Sequence, residues 1–259
     1  GATARRAAVA RRQHLSDFGP GGGFAPPQSL PPDKIDHWAG LLAGASEVDE
    51  HLALSLLSDF GLQTARGAVQ DSWGAVRQAA AQIGYPVVLK TAEPGIAHKS
   101  DQGGVLLDIQ DEAALAEGYG RLSLALGPRV ILQPMVAKGV ELAFGFVRDP
   151  DFGPLVMLSA GGVLIEHFAD RAFALAPVSE GRALELINRL QIARLLDGAR
   201  GAPACDKASV ARAFATFSAV CAGLGTVIAE ADVNPVIVTP GGTIAVDALL
   251  VTERKPGQR

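Results

Sequence analysis

Apolar positions along the chain change period several times. Leu52, Leu56 and Phe60 recur at helical spacing behind Ser46-Glu47-Val48-Asp49, which offers an N-cap and an acidic first turn, and Gly61 is placed to end the helix. Gln63 to Val69 reads as a short strand. Asp71 is placed to cap a helix over 72–83 that Gly84 stops. Pro86-Val87-Val88-Leu89-Lys90 is an apolar run closing on a lysine, the pattern of a buried strand. A charged, glycine-bearing loop over 93–103 follows, then strand 104–109, helix 111–126 and strand 130–136. The second half predicts strands over 140–147, 155–159 and around 163–167, helices over 180–197 and 206–223, and a closing hairpin. Strands and helices interleave, with antiparallel neighbours in the second half. The fold class is α/β (α+β), with two subdomains and a ligand cleft between them.

The hairpin carries polar groups where a core would prefer apolar ones. Glu230, Asp232 and Asn234 are spaced by two, so one strand points all three to one face. A four-residue loop, Thr239-Pro240-Gly241-Gly242, sets Val238 opposite Thr243; counting back along the ladder sets Asn234 opposite Asp247. Carboxylates gathered beside Val and Ile repel one another and are costly to desolvate unless a cation joins them. All the donors are oxygens, which suits Mg²⁺ rather than zinc. An exposed face of solvated acids is the competing reading, and a one-residue slip would turn Asp247 away.

Composition narrows the classes. With 259 residues, 48% of them hydrophobic, the chain can bury a sizeable core. Arg5, Arg6, Arg11 and Arg12 give residues 1–16 a charge of +4, so the net −4 leaves −8 for the rest. That acidic body, and an aromatic content of only 5%, argue against a nucleic-acid partner. Cys205 and Cys221 form neither a disulfide framework nor a C-x-x-C site. No run of eighteen apolar residues predicts a membrane span, and a cytoplasmic location is the default. Residues 1–45, rich in Ala and Arg and then in Gly and Pro, read as a linker or tail from an upstream region.

Other candidate chemistry is distributed along the body. Lys90 is a phosphate ligand at a cleft edge or a lysine snorkelling from a strand end. Ala97-His98-Lys99-Ser100-Asp101 precedes Gly103-Gly104; the imidazole suits phosphoryl or proton transfer, and the glycines let backbone amides approach an anion. Glu141 could meet a ribose hydroxyl or a metal-bound phosphate, and Gly161-Gly162 could turn against phosphates. Arg200 could present a guanidinium to an anion. His14, His37, His51 and His167 show no ligand spacing.

In order, these motifs resemble the ATP-grasp domain of NDP-forming acyl-CoA synthetases: ADP-forming acetyl-CoA synthetases and, more distantly, the succinyl-CoA synthetase β subunit. The resemblance covers about residues 46–252. It rests on Gly84 to Lys90, His98 to Asp101 with Gly103-Gly104, Gly139-Val140-Glu141-Leu142, Arg148 to Pro154, Gly161-Gly162, Leu196 to Gly201, Glu230 to Pro235 and Asp247. It implies a first subdomain over 46–136 and a second, with the metal-binding hairpin, over 137–255. Lys90 then resembles the nucleotide-phosphate lysine. The stretch holding Gln133, Met135 and Val136 resembles the hinge whose backbone holds adenine. Asn234 and Asp247 resemble the Mg²⁺ ligands, with Glu230 and Asp232 beside them, and His98 resembles the mobile-loop histidine that relays a phosphoryl group. The implied reaction is acyl-CoA + ADP + phosphate ⇌ acid + CoA + ATP, through phosphohistidine, with ATP/ADP and Mg²⁺ as cofactors.

The CoA-binding and CoA-ligase domains that would handle CoA and a small carboxylic acid are absent from this chain, so it is expected to bind nucleotide without completing the reaction. There are departures. Ser159-Ala160-Gly161-Gly162 stands for Gly-x-Gly-Gly. An Arg of the following strand falls at Ala174, with Arg171 as a substitute. Leu249 replaces the Arg that follows the metal Asp. Two other readings stay open: a stand-alone ATP-grasp ligase using an acyl phosphate, and a degenerate nucleotide-sensing regulatory module.

Overall fold

A computed structural model describes residues 29–45, 48–96, 99, 102–162, 170–199 and 201–252. Two antiparallel sheets organise them. The smaller is built from β1 (Ala68–Gln70), β2 (Val87–Thr91), β3 (Val105–Ile109) and β4 (Val130–Pro134) in the order β1-β4-β2-β3. Helices α3 (Trp73–Ile83) and α4 (Glu112–Leu126) pack on one of its faces. Val76, Ala80, Leu115 and Leu122 meet Val87, Leu89, Val130 and Leu132 there. Alternation sends Val88, Lys90, Ile131 and Gln133 to the opposite face.

The larger sheet is built from β5 (Val140–Asp149), β6 (Gly153–Ala160), β7 (Arg171–Leu175), β8 (Ile228–Thr239), β9 (Gly242–Ala245) and β10 (Ala248–Thr252). Its order is β10-β8-β5-β6-β7, with β9 also paired to β8. One face packs on α5 (Glu180–Arg189), α6 (Ala193–Leu196) and α7 (Lys207–Gly223). At its centre, Phe144 of β5 meets Phe214 of α7 edge-on, with ring centroids 5.1 Å apart.

Two further helices join the larger core. These are α1 (Pro32–Gly44), through Trp38 and Leu42, and α2 (Glu50–Asp59), through Ala53, Leu54, Leu56 and Leu57. Helix α1 falls where the sequence reads as a linker; Pro31-Pro32 masks a helix whose start tolerates proline. Helix α2 is capped by Asp49, whose carboxylate accepts from Leu52 N at 2.8 Å. Its apolar face packs with the larger sheet, across the boundary drawn at residue 136.

Elsewhere the elements follow the hydrophobic pattern, with differences of physical origin. The N-cap of α3 is Ser72 rather than Asp71. The strand expected over 63–69 shortens to β1, with Thr64 bridging to Ala245. The helix expected over 180–197 breaks at Leu190, because the Asp170 carboxylate accepts from Gln191 N and Ile192 N, both at 2.8 Å, and restarts the chain as α6. That acceptor lies far away in sequence, so the local period cannot show it. β7 and β10 are additional strands, and the strand expected around 163–167 lies outside the described residues.

Leu42, 1% exposed, tests whether α1 belongs to the domain. Leu42→Ala should cost about 3 kcal/mol of unfolding free energy, read as a lower urea midpoint.

Candidate functional site

Lys90 ends the apolar face-switching run of β2 and is 3% exposed. Its ammonium lies 2.7 Å from Glu50 Oε1 and 3.0 Å from Val246 O, with Asp247 Oδ2 at 3.7 Å. Three elements thus meet at one charge: the smaller sheet, the start of α2 and the closing hairpin. Glu50 is 5% exposed, and its second oxygen accepts from Lys99. Burial pushes the Glu50 carboxyl up, but Lys90 and Lys99 outweigh it and hold the group below its ordinary value.

The hairpin has the register expected from the sequence. Val238 pairs with Thr243 and Val236 with Ala245; after a gap, Val233 pairs with Ala248 in the same register. In the gap Asn234 N donates to Asp247 O at 3.1 Å and Val246 N to Pro235 O at 3.0 Å. On its other edge β8 bulges: Leu142 of β5 pairs with Val236 and Phe144 with Val233. Pro235 has no N–H for that ladder. The gap therefore releases Asp247 from regular pairing and presents its carboxylate to Lys90. Burial pushes the Asp247 carboxyl up to about 6, with Lys90 opposing and Glu50 adding to the rise. Its side chain keeps 35% of its surface open, so solvent screens part of that effect.

The Asn234 amide oxygen accepts from Gly162 N at 3.3 Å, which ties the Gly161-Gly162 turn to the hairpin. Gly161 N donates to Glu141 O at 2.8 Å. Gly162 has φ 58°, and a Cβ there would collide with the Glu141 carboxylate. Glu141, Gly161, Gly162, Asn234 and Asp247 are therefore one neighbourhood. Glu230 and Asp232 share the face of β8 that carries Asn234, turned away from the larger core. Glu230, four residues from Asn234, lies about 13 Å along the strand from it. Among the described residues no group of three or more His, Cys, Asp or Glu side chains gathers to hold a metal.

The segment from β4 to β5 joins the two sheets. Gln133, 1% exposed, turns its side chain inward: Nε2 donates to Ala65 O at 3.0 Å and to Glu50 Oε1 at 3.3 Å. Met135 N donates to Pro86 O at 3.0 Å, so its N–H is already committed. Val136 is half-buried. His98 and Arg200 lie outside the described residues.

Two residues gain weight from the structure. Glu50 looked in sequence like one more acid in a helix's first turn; no local signal marks it as the partner of two lysines. Arg171 pairs with Ser159 on the outward face of the larger sheet, and its Nε is buried with no hydrogen-bond partner among the described residues. Ala174 faces the core beside Val156. Of the two, Arg171 is on the face that carries Asn234.

An ATP-grasp domain profile matches residues 40–251. The chain belongs to the ATP-grasp family. It is 34% identical over 178 residues to the β subunit of an ADP-forming acetate–CoA ligase I from Pyrococcus furiosus, covering 66% of this chain and 76% of that subunit. It is 34% identical over 226 residues to an ADP-forming acetate–CoA ligase I of Archaeoglobus fulgidus, covering 85% of this chain but 32% of that protein. The ATP-grasp chain thus spans about a third of the length of that relative. Among solved structures, it resembles the dinucleotide-forming acetyl-coenzyme A synthetase 1 of Ca. Korarchaeum cryptofilum, at 33% identity and a TM-score of 0.72, over 85% of this chain and 100% of that one. That protein was captured with coenzyme A and Mg-AMPPCP, its phosphohistidine segment pointing towards the nucleotide-binding site.

Removing Glu50 takes the nearer carboxylate from a buried ammonium and leaves it only Asp247, at 3.7 Å. Glu50→Ala should cost about 3–5 kcal/mol, read by urea unfolding. The raised Asp247 carboxyl sets a separate pH dependence. Between 3.8 and about 6 the folded protein holds a proton there that the unfolded chain has released. In metal-free buffer this group therefore adds stability as pH falls from 7 towards 5. Asp247→Asn should remove that rise from the melting temperature. Glu50 acts the other way and at lower pH: its contribution is present above 4.5 and is lost as pH falls through its depressed folded value.

Proposed function

We propose that this chain is the nucleotide-binding ATP-grasp part of an NDP-forming acyl-CoA synthetase. The reaction interconverts acyl-CoA, ADP and phosphate with acid, CoA and ATP through phosphohistidine. The observation that carries this reading is the meeting of Lys90 from one sheet with the Asn234–Asp247 gap of the other. A phosphate chain laid between the sheets finds an ammonium on one side and oxygen donors on the other. The smaller sheet with α3 and α4, and the larger sheet with the helices packed on it, α2 among them, are its two walls, with the Gln133 to Val136 stretch between them for the base. Since Met135 N is bonded to Pro86 O, the base would be met there by backbone carbonyls or by Val136.

The donor set fits Mg²⁺. Asn234 and Asp247 would hold it through oxygen, with Glu230 and Asp232 further along the strand. With one amide and one carboxylate as its protein ligands, the ion would complete its shell with phosphate oxygens and water, the usual way Mg²⁺ is held. Mg²⁺ there would spread the charge of the transferring phosphoryl group. Lys90 already has two short contacts, so its remaining N–H is the one open to a phosphate oxygen. Arg171 and the Gly161-Gly162 turn lie along the same wall, with Glu141 against the turn. Arg200 and His98 complete the assignment, His98 as the phosphoryl relay. CoA and a small carboxylic acid would be bound by CoA-binding and CoA-ligase domains, fused upstream or on a separate subunit. No described helix is long and apolar enough to cross a membrane, and the proposed chemistry belongs with cytoplasmic nucleotide and CoA pools.

Calorimetric titration with ADP and ATP, with and without Mg²⁺, tests this directly. Binding should be Mg²⁺-dependent and fall by at least about tenfold in Asp247→Ala. His98→Asn should leave nucleotide affinity in place and abolish phosphoryl transfer when the CoA-binding domains are supplied. Turnover without those domains, insensitive to His98, would favour a stand-alone ligase using an acyl phosphate. The regulatory-module reading leans on Ala174 and Leu249. The core-facing side chain of Ala174 removes half of that support, because an arginine there would point away from the gap.

A further inference from the structure

Glu50 carries two lysines on one carboxylate, and both of its oxygens are already taken by protein donors. Lys90 Nζ is 2.7 Å from its Oε1, Lys99 is on its Oε2, and Gln133 Nε2 adds a contact at 3.3 Å. Asp247 stands 3.7 Å from the same ammonium, beyond hydrogen-bond range. The ammonium is therefore held between Glu50 and the Val246 carbonyl of the hairpin, at 3.0 Å, rather than on the Asp247 carboxylate.

We infer that Glu50 is a positioning residue that holds Lys90 off Asp247, so that the Asp247 carboxylate stays available to a divalent cation. The inference rests on reading the Asn234–Asp247 gap as the cation site. Two physical consequences follow from the charges present. With Glu50, two ammoniums face two carboxylates and the cluster is neutral. Without its charge the cluster is net positive and repels an incoming cation. In addition, a buried Lys90 would have one carboxylate left to pair with, and closing on Asp247 would occupy the oxygen the cation needs. Glu50 touches neither nucleotide nor metal and acts only through Lys90 and Lys99.

Glu50→Gln keeps the shape and an accepting oxygen but removes the charge. Its affinity for ADP should fall about 10- to 100-fold in Mg²⁺, the usual cost of losing a group that supports a metal ligand. In EDTA its affinity for ADP should be no lower than that of the wild type, because the added positive charge does not repel a phosphate chain, and Glu50→Asp should restore part of the Mg²⁺-dependent binding. Equal losses with and without Mg²⁺ would overturn the inference, since a merely structural defect weakens both. A second measurement needs no nucleotide. Asp247→Asn should raise or leave unchanged the urea midpoint of the wild type, but lower it in the Glu50→Gln background, where Asp247 is the charged partner left to Lys90. The same sign in both backgrounds would overturn the inference. A wild type that binds no nucleotide would instead overturn the proposed function, and the urea comparison would still judge Glu50.

Discussion

Opposite charges buried together are stable only as a set, and the pair formed by Glu50 and Lys90 sets the geometry of this molecule's centre. Taking each ion out of water costs several kcal/mol, and their attraction repays that cost only with good geometry and further hydrogen bonds. Both conditions are met here: a 2.7 Å contact, a carbonyl from Val246, and Lys99 and Gln133 on the carboxylate. The pair also spans a structural seam. Helix α2 belongs by its apolar face to the larger core, while Lys90 rises from the smaller sheet. The Asp49–Arg129 ion pair at 3.0 Å and the Gln133–Ala65 bond cross the same seam. The two cores are thus joined through polar contacts as well as through the chain, and the charged groups of the cleft sit on that joint.

The closing hairpin solves a related problem by irregularity. A regular strand pair would have tied residues 246–247 into the ladder. The bulge at Asn234-Pro235 and the gap between β9 and β10 leave only two backbone bonds there, yet the register resumes unchanged beyond it. The sheet keeps its core-facing set of Val233, Val236, Val238 and Ala248 while one carboxylate leaves the ladder. The two faces differ in chemistry: the apolar side packs on α7, and the other side carries Asn234, Glu230, Asp232, Ser159 and Arg171.

Departures from the family pattern have unequal weight when placed in three dimensions. Leu249 lies exposed on the edge strand β10, opposite Asp232, so its change from Arg affects the outward face of the sheet. Ala174 is core-facing and Arg171 outward-facing, on the face that carries Asn234. Ser159, buried in place of a glycine, is accommodated by donating to Ala160 O at 3.0 Å.

Much of this was legible in the chain itself. Apolar periodicity, helix caps and turn residues act locally, so most strands and helices and the hairpin register that sets Asn234 opposite Asp247 could be read from residues alone, while Lys90 was joined to them only by the family resemblance. Helix α1 was hidden because prolines and a tail-like composition precede it, although Trp38 and Leu42 bury it. The break at Leu190 depends on Asp170, and the role of Glu50 depends on Lys90, forty residues on. These are contacts between side chains that only the packed sheets bring within reach. Local order belongs to the sequence because its energetics are local. The charge cluster at the seam belongs to the tertiary structure, because burial alone turns distant acids and bases into partners.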